Sequence, residues 1–180
     1  MQKPETIIVI PARGGSKRIK NKNLFLVNGI PLIDYTIQHA LSSSFCSEIY
    51  ISTDSELLKK HLKKFRVNII ERPKNISGDT SSSELALINV LDYRKKIKKK
   101  DPINIIFLQC TSPYRDNLDI DNAYEKFQSK NYDSLLSVVK SKKFIWKNSN
   151  NIFKTVNYDF KKRPREQDFN NFYEENGSIY

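Results

Sequence analysis

Residues 6–23 read TIIVIPARGGSKRIKNKN, and this stretch decides the fold. Its first part, Thr6–Ala12, is a short and nearly all-apolar run rich in β-branched residues, which is typical of a strand buried on both faces of a parallel sheet. A polar loop that contains glycine, 13–28, follows this run. Because ligands of open parallel α/β sheets bind beyond the carboxyl ends of the strands, we expect the loop to lie at the functional site.

The chain beyond this loop alternates between helix and strand patterns. Helix patterns begin at Pro31 and Leu118 and at two capping-box spacings. The capping boxes pair Thr53 with Glu56 and Ser81 with Glu84. We predict further strands over 48–53, 67–71, 103–109 and 133–139. This alternation predicts a Rossmann-like three-layer α/β/α domain with a mainly parallel sheet.

The pattern changes after Val139. Residues 144–147 and 152–156 flank an asparagine-rich turn and predict a small hairpin. A polar, basic stretch follows, and residues 177–180 look like the beginning of another strand. We interpret 1–180 as a single domain in which 144–175 form a hairpin and basic arm. Because a domain rarely stops at the start of a strand, the chain is either naturally short or a fragment.

Composition limits the class of protein. A chain of 180 residues and 21.0 kDa with 38% hydrophobic residues is expected to form one globular domain with its own core. No apolar stretch approaches the roughly 20 residues that cross a bilayer, and no secretory signal is apparent. We therefore expect a cytoplasmic protein without a membrane partner. Cys46 and Cys110 are expected to be reduced thiols.

The charge is the unusual bulk property. Thirty-one Lys and Arg against 20 Asp and Glu give a net charge of +11, which suits an anionic partner. Much of the excess lies in 59–66, 94–100 and 161–165, and we interpret the first two clusters as solvated helix ends. A small anionic substrate explains the charge as well as nucleic acid does, and we expect no nucleic-acid partner.

The loop after the first predicted strand has the composition of an anion-binding turn. Gly14 and Gly15 are two of the five glycines in the chain, and five cations lie beside them. Glycine lets backbone N–H groups approach phosphate oxygens, while Arg and Lys neutralise their charge. The loop matches neither a Walker A motif nor a dinucleotide fingerprint. The alternative is a surface turn with solvated lysines.

The residues PARGGSKRIKNKNL closely resemble the N-terminal signature of the CMP-sialic acid synthetases, the acylneuraminate cytidylyltransferases. The resemblance spans nearly the whole chain in the family's order. It continues through 52–54 (STD), 72–73 (RP), 77–83 (SGDTSSS), 108–115 (LQCTSPYR), 165–168 (REQD) and 176–180 (NGSIY).

The resemblance implies roles for individual residues. Arg13 and Lys22 are the implied catalytic residues, which would stabilise phosphate charge. The implied nucleotide-binding residues are Arg13, Gly15, Ser16, Lys22, Asn23, Arg72 and Ser83. The implied sugar-binding residues are Gln109, Ser112, Arg165, Asn176 and Tyr180. For the segment 79–84 a simple helix cap remains an alternative role, and the basic stretch before Arg165 can be read as a solvated loop.

The implied activity is a nucleotidyltransferase reaction. CTP would activate an acidic nine-carbon nonulosonic acid of the N-acetylneuraminate or legionaminate type, giving the CMP-sugar and pyrophosphate with Mg²⁺ as cofactor. The metal ligands are unknown, because the family's pair of metal-binding aspartates falls beyond the Asn-Gly-x-Ile-Tyr strand. The resemblance also implies a homodimer, with the predicted hairpin as the dimerisation arm beside the sugar pocket. The alternatives are activation of pseudaminate or the eight-carbon 3-deoxy-manno-octulosonate, or a catalytically silent paralogue that binds nucleotide or nucleic acid.

Overall fold

The computed structural model describes residues 5–130, 132–169 and 172–180. The chain divides into two compact units. The first comprises Met1–Ser137 together with Gly177–Tyr180, and the second comprises Val138–Asn176. The second unit contains the whole segment 144–175 that we predicted to be an arm, and the position of this arm beside a sugar pocket stays a prediction.

A four-stranded parallel sheet forms the centre of the first unit. Its strands are ordered β5-β4-β1-β6, and a short antiparallel pair, β2 with β3, lies outside it. The strands of this unit are β1 (Thr6–Pro11), β2 (Leu26–Val27), β3 (Ile30–Pro31), β4 (Glu48–Thr53), β5 (Asn68–Glu71) and β6 (Asn104–Phe107). All four sheet strands point the same way, so the loops that follow them meet at one edge.

Helices cover both faces of this sheet. They are α1 (Leu32–Ser42), α2 (Glu56–Leu62), α3 (Glu84–Lys96) and α4 (Asp119–Ser129). Alternate residues of β1 point to opposite faces. Ile8 and Ile10 pack with buried residues of α1, α2 and α4, whereas Ile7 and Val9 pack with Val90 of α3. The predicted three-layer α/β/α architecture is confirmed.

The predicted strand over 133–139 is wrong. Residues 133–137 form no strand, and β7 (Val138–Ser141) pairs antiparallel with β10 (Phe172–Glu175) in the second unit. The position beside β6 belongs to the last residues of the chain. Ile179 bridges Leu108 in antiparallel register, and Tyr180 exchanges backbone hydrogen bonds of 2.8 and 3.0 Å with Phe107. The apolar pattern indicated an extended segment without specifying its partner.

Two helix starts also differ from the predicted capping boxes. Ser55, not Thr53, is the N-cap of α2, and its hydroxyl accepts a hydrogen bond of 3.3 Å from the backbone N–H of Leu58. Thr53 is the buried last residue of β4. Ser83, not Ser81, precedes the first residue of α3.

The interpretation of the basic cluster 94–100 as a solvated helix end is wrong for its first residue. The side chain of Arg94 is fully buried at the amino end of the sheet. It forms ion pairs with Glu5 and Glu48 and donates to the hydroxyl of Tyr50 at 2.8 Å and to the carbonyl of Lys100 at 2.9 Å. Arg94 therefore ties α3 to the beginning of β1 and β4.

The second unit contains the predicted hairpin. Its strands β8 (Trp146–Ser149) and β9 (Ile152–Thr155) pair antiparallel. Asn150 and Asn151 between them have φ values of 52° and 60°, as a type I′ turn requires. The hairpin is confirmed, and its role as a dimerisation arm stays a prediction. Within the residues that the structure describes, every helix is too short or too polar to span a bilayer.

Candidate active site

A polar cleft of about 240 Å³ opens at the carboxyl edge of the sheet in the first unit. The loops that follow β1, β5 and β6 line it. All seven residues predicted to hold a nucleotide lie on its wall, together with Gln109 from the predicted sugar-binding set. The seven are Arg13, Gly15, Ser16, Lys22, Asn23, Arg72 and Ser83. The structure thus brings together residues from position 13 to position 83 of the sequence, and their roles in binding stay predictions.

The loop after β1 is fixed to the neighbouring strand by backbone contacts. The N–H of Ala12 donates to the carbonyl of Ser52 at 2.9 Å, and the N–H of Gly14 donates to Oδ1 of Asp54 at 2.7 Å. A Cβ atom at Gly14 would lie 2.8 Å from Cβ of Ser55, closer than side chains approach. Glycine is therefore required at position 14 by this contact with the start of α2.

Arg72 is a buried cation with an unused donor. Its side chain lies after β5 with only 6% of the residue exposed, and Nε donates to Oγ of Ser52 at 3.1 Å. Its Nη2 has no hydrogen-bond partner among the described residues. Burial lowers the pKa of the Arg72 guanidinium; the positive charge of Arg13 acts in the same direction and Asp54 opposes it. A buried donor of this kind costs free energy unless an acceptor reaches it from the cleft.

The sequence did not predict that Asp79 forms ion pairs with the loop after β1. Asp79 lies in the segment 79–84, for which a helix cap and a nucleotide site were both predicted, but it was not itself predicted to be a site residue. It pairs with Nη1 of Arg13 and with Nζ of Lys17, each at 2.8 Å. These hydrogen bonds and charges, that of Lys17 foremost, lower the pKa of the Asp79 carboxyl. Its place in the SGDTSSS stretch was the available signal, because Ser83 of that stretch was predicted to bind the nucleotide.

The residues predicted to bind the sugar are placed less uniformly. Gln109 lines the cleft, and a Cβ on Gly177 would lie 3.3 Å from its Oε1 and 3.6 Å from Oγ of Ser112. Tyr180 instead lines a separate apolar cavity of about 350 Å³ between β6 and α4, where its ring packs 5.4 Å from that of Phe107. The two distances from Gly177 therefore place Gln109, Ser112 and Gly177 together.

Two of the predicted sugar-binding residues, Arg165 and Asn176, belong to the second unit. There, Nε of Arg165 donates to Oδ2 of Asp168 at 2.5 Å. The side chain of Arg165 is 73% exposed, which leaves most of the guanidinium accessible.

Arg115 organises the loop after β6 and was not singled out from the sequence. It is buried, and its Nη2 donates to the carbonyl of Gln109 at 2.9 Å and to that of Ser178 at 2.7 Å. A charged donor shared by two backbone carbonyls holds these segments in fixed register. Composition and spacing contain no signal for this role, because both acceptors are backbone atoms.

The described residues offer no ready set of protein ligands for Mg²⁺. No group of three or more His, Cys, Asp or Glu side chains among residues 5–130, 132–169 and 172–180 could hold a metal ion. Asp79 is the single carboxylate among the described residues that line the cleft, and Arg13 and Lys17 occupy it. We therefore derive no catalytic step through a protein-bound metal.

Comparison with known proteins identifies the family. A sequence model described as cytidylyltransferase matches residues 7–179. The chain belongs to the cytidylyltransferase family. It is 33% identical over 176 residues to N-acylneuraminate cytidylyltransferase A of Danio rerio, with 96% of this chain and 40% of that protein covered. It is 30% identical over 184 residues to the pseudaminic acid cytidylyltransferase of Campylobacter jejuni, with 98% of this chain and 77% of that protein covered.

A solved structure supports the fold of this cytidylyltransferase. The crystal structure of a 4-diphosphocytidyl-2C-methyl-D-erythritol synthase aligns with a TM-score of 0.69 at 11% identity, covering 100% of this chain and 76% of that one. At such low identity the likeness concerns the fold alone. The predicted fold class and the resemblance to CMP-sialic acid synthetases are confirmed. The chain spans about two fifths of the length of the vertebrate relatives that it matches (40% and 41%).

Proposed function

We propose that this cytidylyltransferase transfers the cytidylyl group of CTP to a nonulosonic acid of the N-acetylneuraminate or legionaminate type. The observation that carries the proposal is the buried guanidinium of Arg72, which lines the cleft with Arg13 and Lys22 and whose Nη2 has no partner among the described residues. An anionic ligand with further acceptors, as a nucleoside triphosphate has, satisfies all three groups at once. The names of the relatives support the class of sugar.

In the proposed reaction, the anomeric hydroxyl oxygen of the sugar forms a bond to the α-phosphorus of CTP. The bond from that phosphorus to the bridging oxygen breaks, pyrophosphate leaves, and the hydroxyl proton is released to water. Negative charge grows on the leaving phosphates in the transition state. Arg13 and Lys22 supply the positive charge that stabilises it, and the loop pinned by Gly14 holds them in position before the reaction begins.

The remaining expectations belong to this proposal. Mg²⁺ accompanies CTP as the counter-ion of its phosphates. A homodimer forms through the hairpin of β8 and β9, an idea supported by Ile152 and Phe153, which are 60% and 62% exposed. The use of CTP and the unpaired Cys46 and Cys110 support a location in the cytoplasm.

Pyrophosphate release tests the proposed function. The protein is incubated with CTP, MgCl₂ and a panel containing N-acetylneuraminate, legionaminate, pseudaminate and 3-deoxy-manno-octulosonate, with UTP and ATP as control nucleotides. We expect release with CTP and a sugar of the first two types. The variant Arg13→Ala is expected to lose turnover while its melting temperature stays unchanged, because Arg13 lies in a loop outside the core. Intact CTP binding without release from any sugar would indicate a silent paralogue.

A basic nucleic-acid-binding domain predicts a different result. Its affinity for an oligonucleotide would fall steeply between about 50 and 200 mM salt, whereas our proposal expects no measurable oligonucleotide binding at the higher concentration.

A further inference from the structure

Asp79 lies where a substrate phosphate is expected. Its carboxylate contacts Arg13 through Oδ1 and Lys17 through Oδ2, each at 2.8 Å, and both cations belong to the loop after β1. It is also the single carboxylate among the described residues of the cleft wall. An acidic group on an anion-binding wall opposes the anion by charge repulsion. Its presence there therefore requires an explanation beyond helix capping.

We propose that Asp79 is an internal counter-ion that competes with the substrate's phosphate groups for Arg13 and Lys17, and so determines how much negative charge a ligand needs to enter the cleft. This inference rests on the proposed function, because it assumes that the cleft receives a polyphosphate. Asp79 is a specificity-determining residue in this account, and it takes no part in bond making.

The competition follows from the geometry of the two ion pairs. Nη1 of Arg13 carries two N–H donors, but a phosphate oxygen that binds there comes close to Oδ1 of Asp79. Repulsion between the two anions then favours displacement of the carboxylate. The displaced carboxylate has room to move, since the Asp79 side chain is already 37% exposed. It also lies in the loop between β5 and α3, outside any regular element. Displacement therefore costs two ion pairs and leaves the core intact.

Ligands differ in how well their own contacts offset the loss of the two Asp79 ion pairs. An orthophosphate ion replaces the carboxylate with a group of similar size and gains little. A triphosphate is long enough to reach Lys22 and the serines at the start of α3 as well, which line the same cleft. These further contacts offset the lost pairs, so that only a long polyphosphate enters readily. When pyrophosphate leaves, Asp79 pairs again with both cations, which favours its release.

The variant Asp79→Asn tests the inference, with inorganic tripolyphosphate and cytidine as separate probes in isothermal titration calorimetry. The amide removes the negative charge at nearly constant size. We expect tripolyphosphate to bind about fivefold or more tightly to the variant, as the loss of two solvent-exposed ion pairs predicts, and cytidine binding to stay unchanged. The control is Asp92→Asn, which makes the same change of charge on an exposed face of α3 and should alter neither affinity by more than about twofold.

Equal or weaker binding of tripolyphosphate to Asp79→Asn would overturn the inference and show instead that Asp79 orients Arg13 and Lys17. The variant Arg13→Ala separates this failure from that of the proposed function. If Arg13→Ala weakens tripolyphosphate binding while Asp79→Asn does not tighten it, the counter-ion role alone is wrong. If neither variant changes the affinity, the polyphosphate does not bind in this cleft and the proposed function is wrong as well.

Discussion

Replacing Arg72 with methionine should separate ligand binding from folding. Methionine is unbranched and flexible, and it fills much of the volume of arginine without charge or donors. In the structure, the guanidinium has one hydrogen bond, to Ser52 at 3.1 Å, and an Nη2 without a partner among the described residues. The stabilisation that Arg72 gives to the fold is therefore small compared with the free energy that its burial costs. We expect Arg72→Met to weaken CTP binding and to leave the stability of the protein nearly unchanged.

The expected magnitudes follow from these contacts. A hydrogen bond from a charged donor contributes about 1.5–3 kcal/mol, and each 1.4 kcal/mol is a factor of ten, so that the Kd for CTP should rise about 10- to 150-fold. Folding loses about 1.5–3 kcal/mol with the bond to Ser52, because that donor is charged too. It gains about 1–3 kcal/mol because an unsatisfied buried donor disappears. The two changes nearly cancel, so the free energy of unfolding should stay within about 2 kcal/mol of its wild-type value.

Calorimetric titration with CTP and thermal unfolding measure the two quantities on the same preparation. Arg66→Met is the matched control, since Arg66 is exposed after α2 and lies outside the cleft wall. It should change neither the Kd nor the melting temperature. Unchanged CTP affinity in Arg72→Met, or a loss of several kcal/mol of stability, would refute the assignment of Arg72 as a ligand-binding donor.

Three further predictions test other parts of the structure. Gly14→Ala should raise the Kd for CTP by about tenfold or more in the same titration, because its Cβ would displace the loop. The control is Gly15→Ala, whose added Cβ has no atom within 4 Å, and its Kd should stay within about twofold of the wild-type value. Arg94→Leu should lower stability by about 3 kcal/mol, seen as a melting temperature about 6–12 °C lower, since it removes both ion pairs of a fully buried guanidinium and its hydrogen bonds to Tyr50 and Lys100; an unchanged melting temperature would contradict this. Burial raises the pKa of Cys46 to about 11 and that of Cys110 to about 12, so iodoacetamide at pH 8 should label neither thiol until the protein unfolds. An unfolded thiol ionises near pH 8.5, whereas the folded thiols stay neutral up to their raised pKa values. The free energy of unfolding should therefore decrease only as the pH rises above about 8.5 towards those values.

The sequence predicted the local elements of the fold better than their partners. The apolar run Thr6–Ala12 predicted a buried strand correctly, because a strand that is buried on both faces has apolar side chains at consecutive positions. Residues 133–139 also include a run of apolar side chains, yet the residues that pair with the edge of the sheet at β6 are Ile179 and Tyr180. Which strand occupies an edge depends on contacts between distant residues, and periodicity carries no such information.

The candidate site shows the same division. Glycines and cations in one loop predicted an anion site, and the structure places that loop on a cleft wall. The ion pair of Asp79 with Arg13 links positions that are 66 residues apart (79 − 13), and the two acceptors of Arg115 are backbone carbonyls. Neither contact can be predicted from residue type or from spacing along the sequence. The buried state of Arg94 was hidden similarly, because its acidic partners are in other elements.

The most direct test of the account is a titration of the ¹⁵N-labelled protein with CTP, followed by backbone amide chemical shifts. We predict that the largest changes fall on the loop 13–23, on Arg72 and on the segment 79–84, because these line one cleft. The amides of the hairpin between Trp146 and Thr155 serve as the internal reference. Changes confined to that hairpin, or no changes at millimolar CTP, would contradict the claim that this cleft binds the nucleotide.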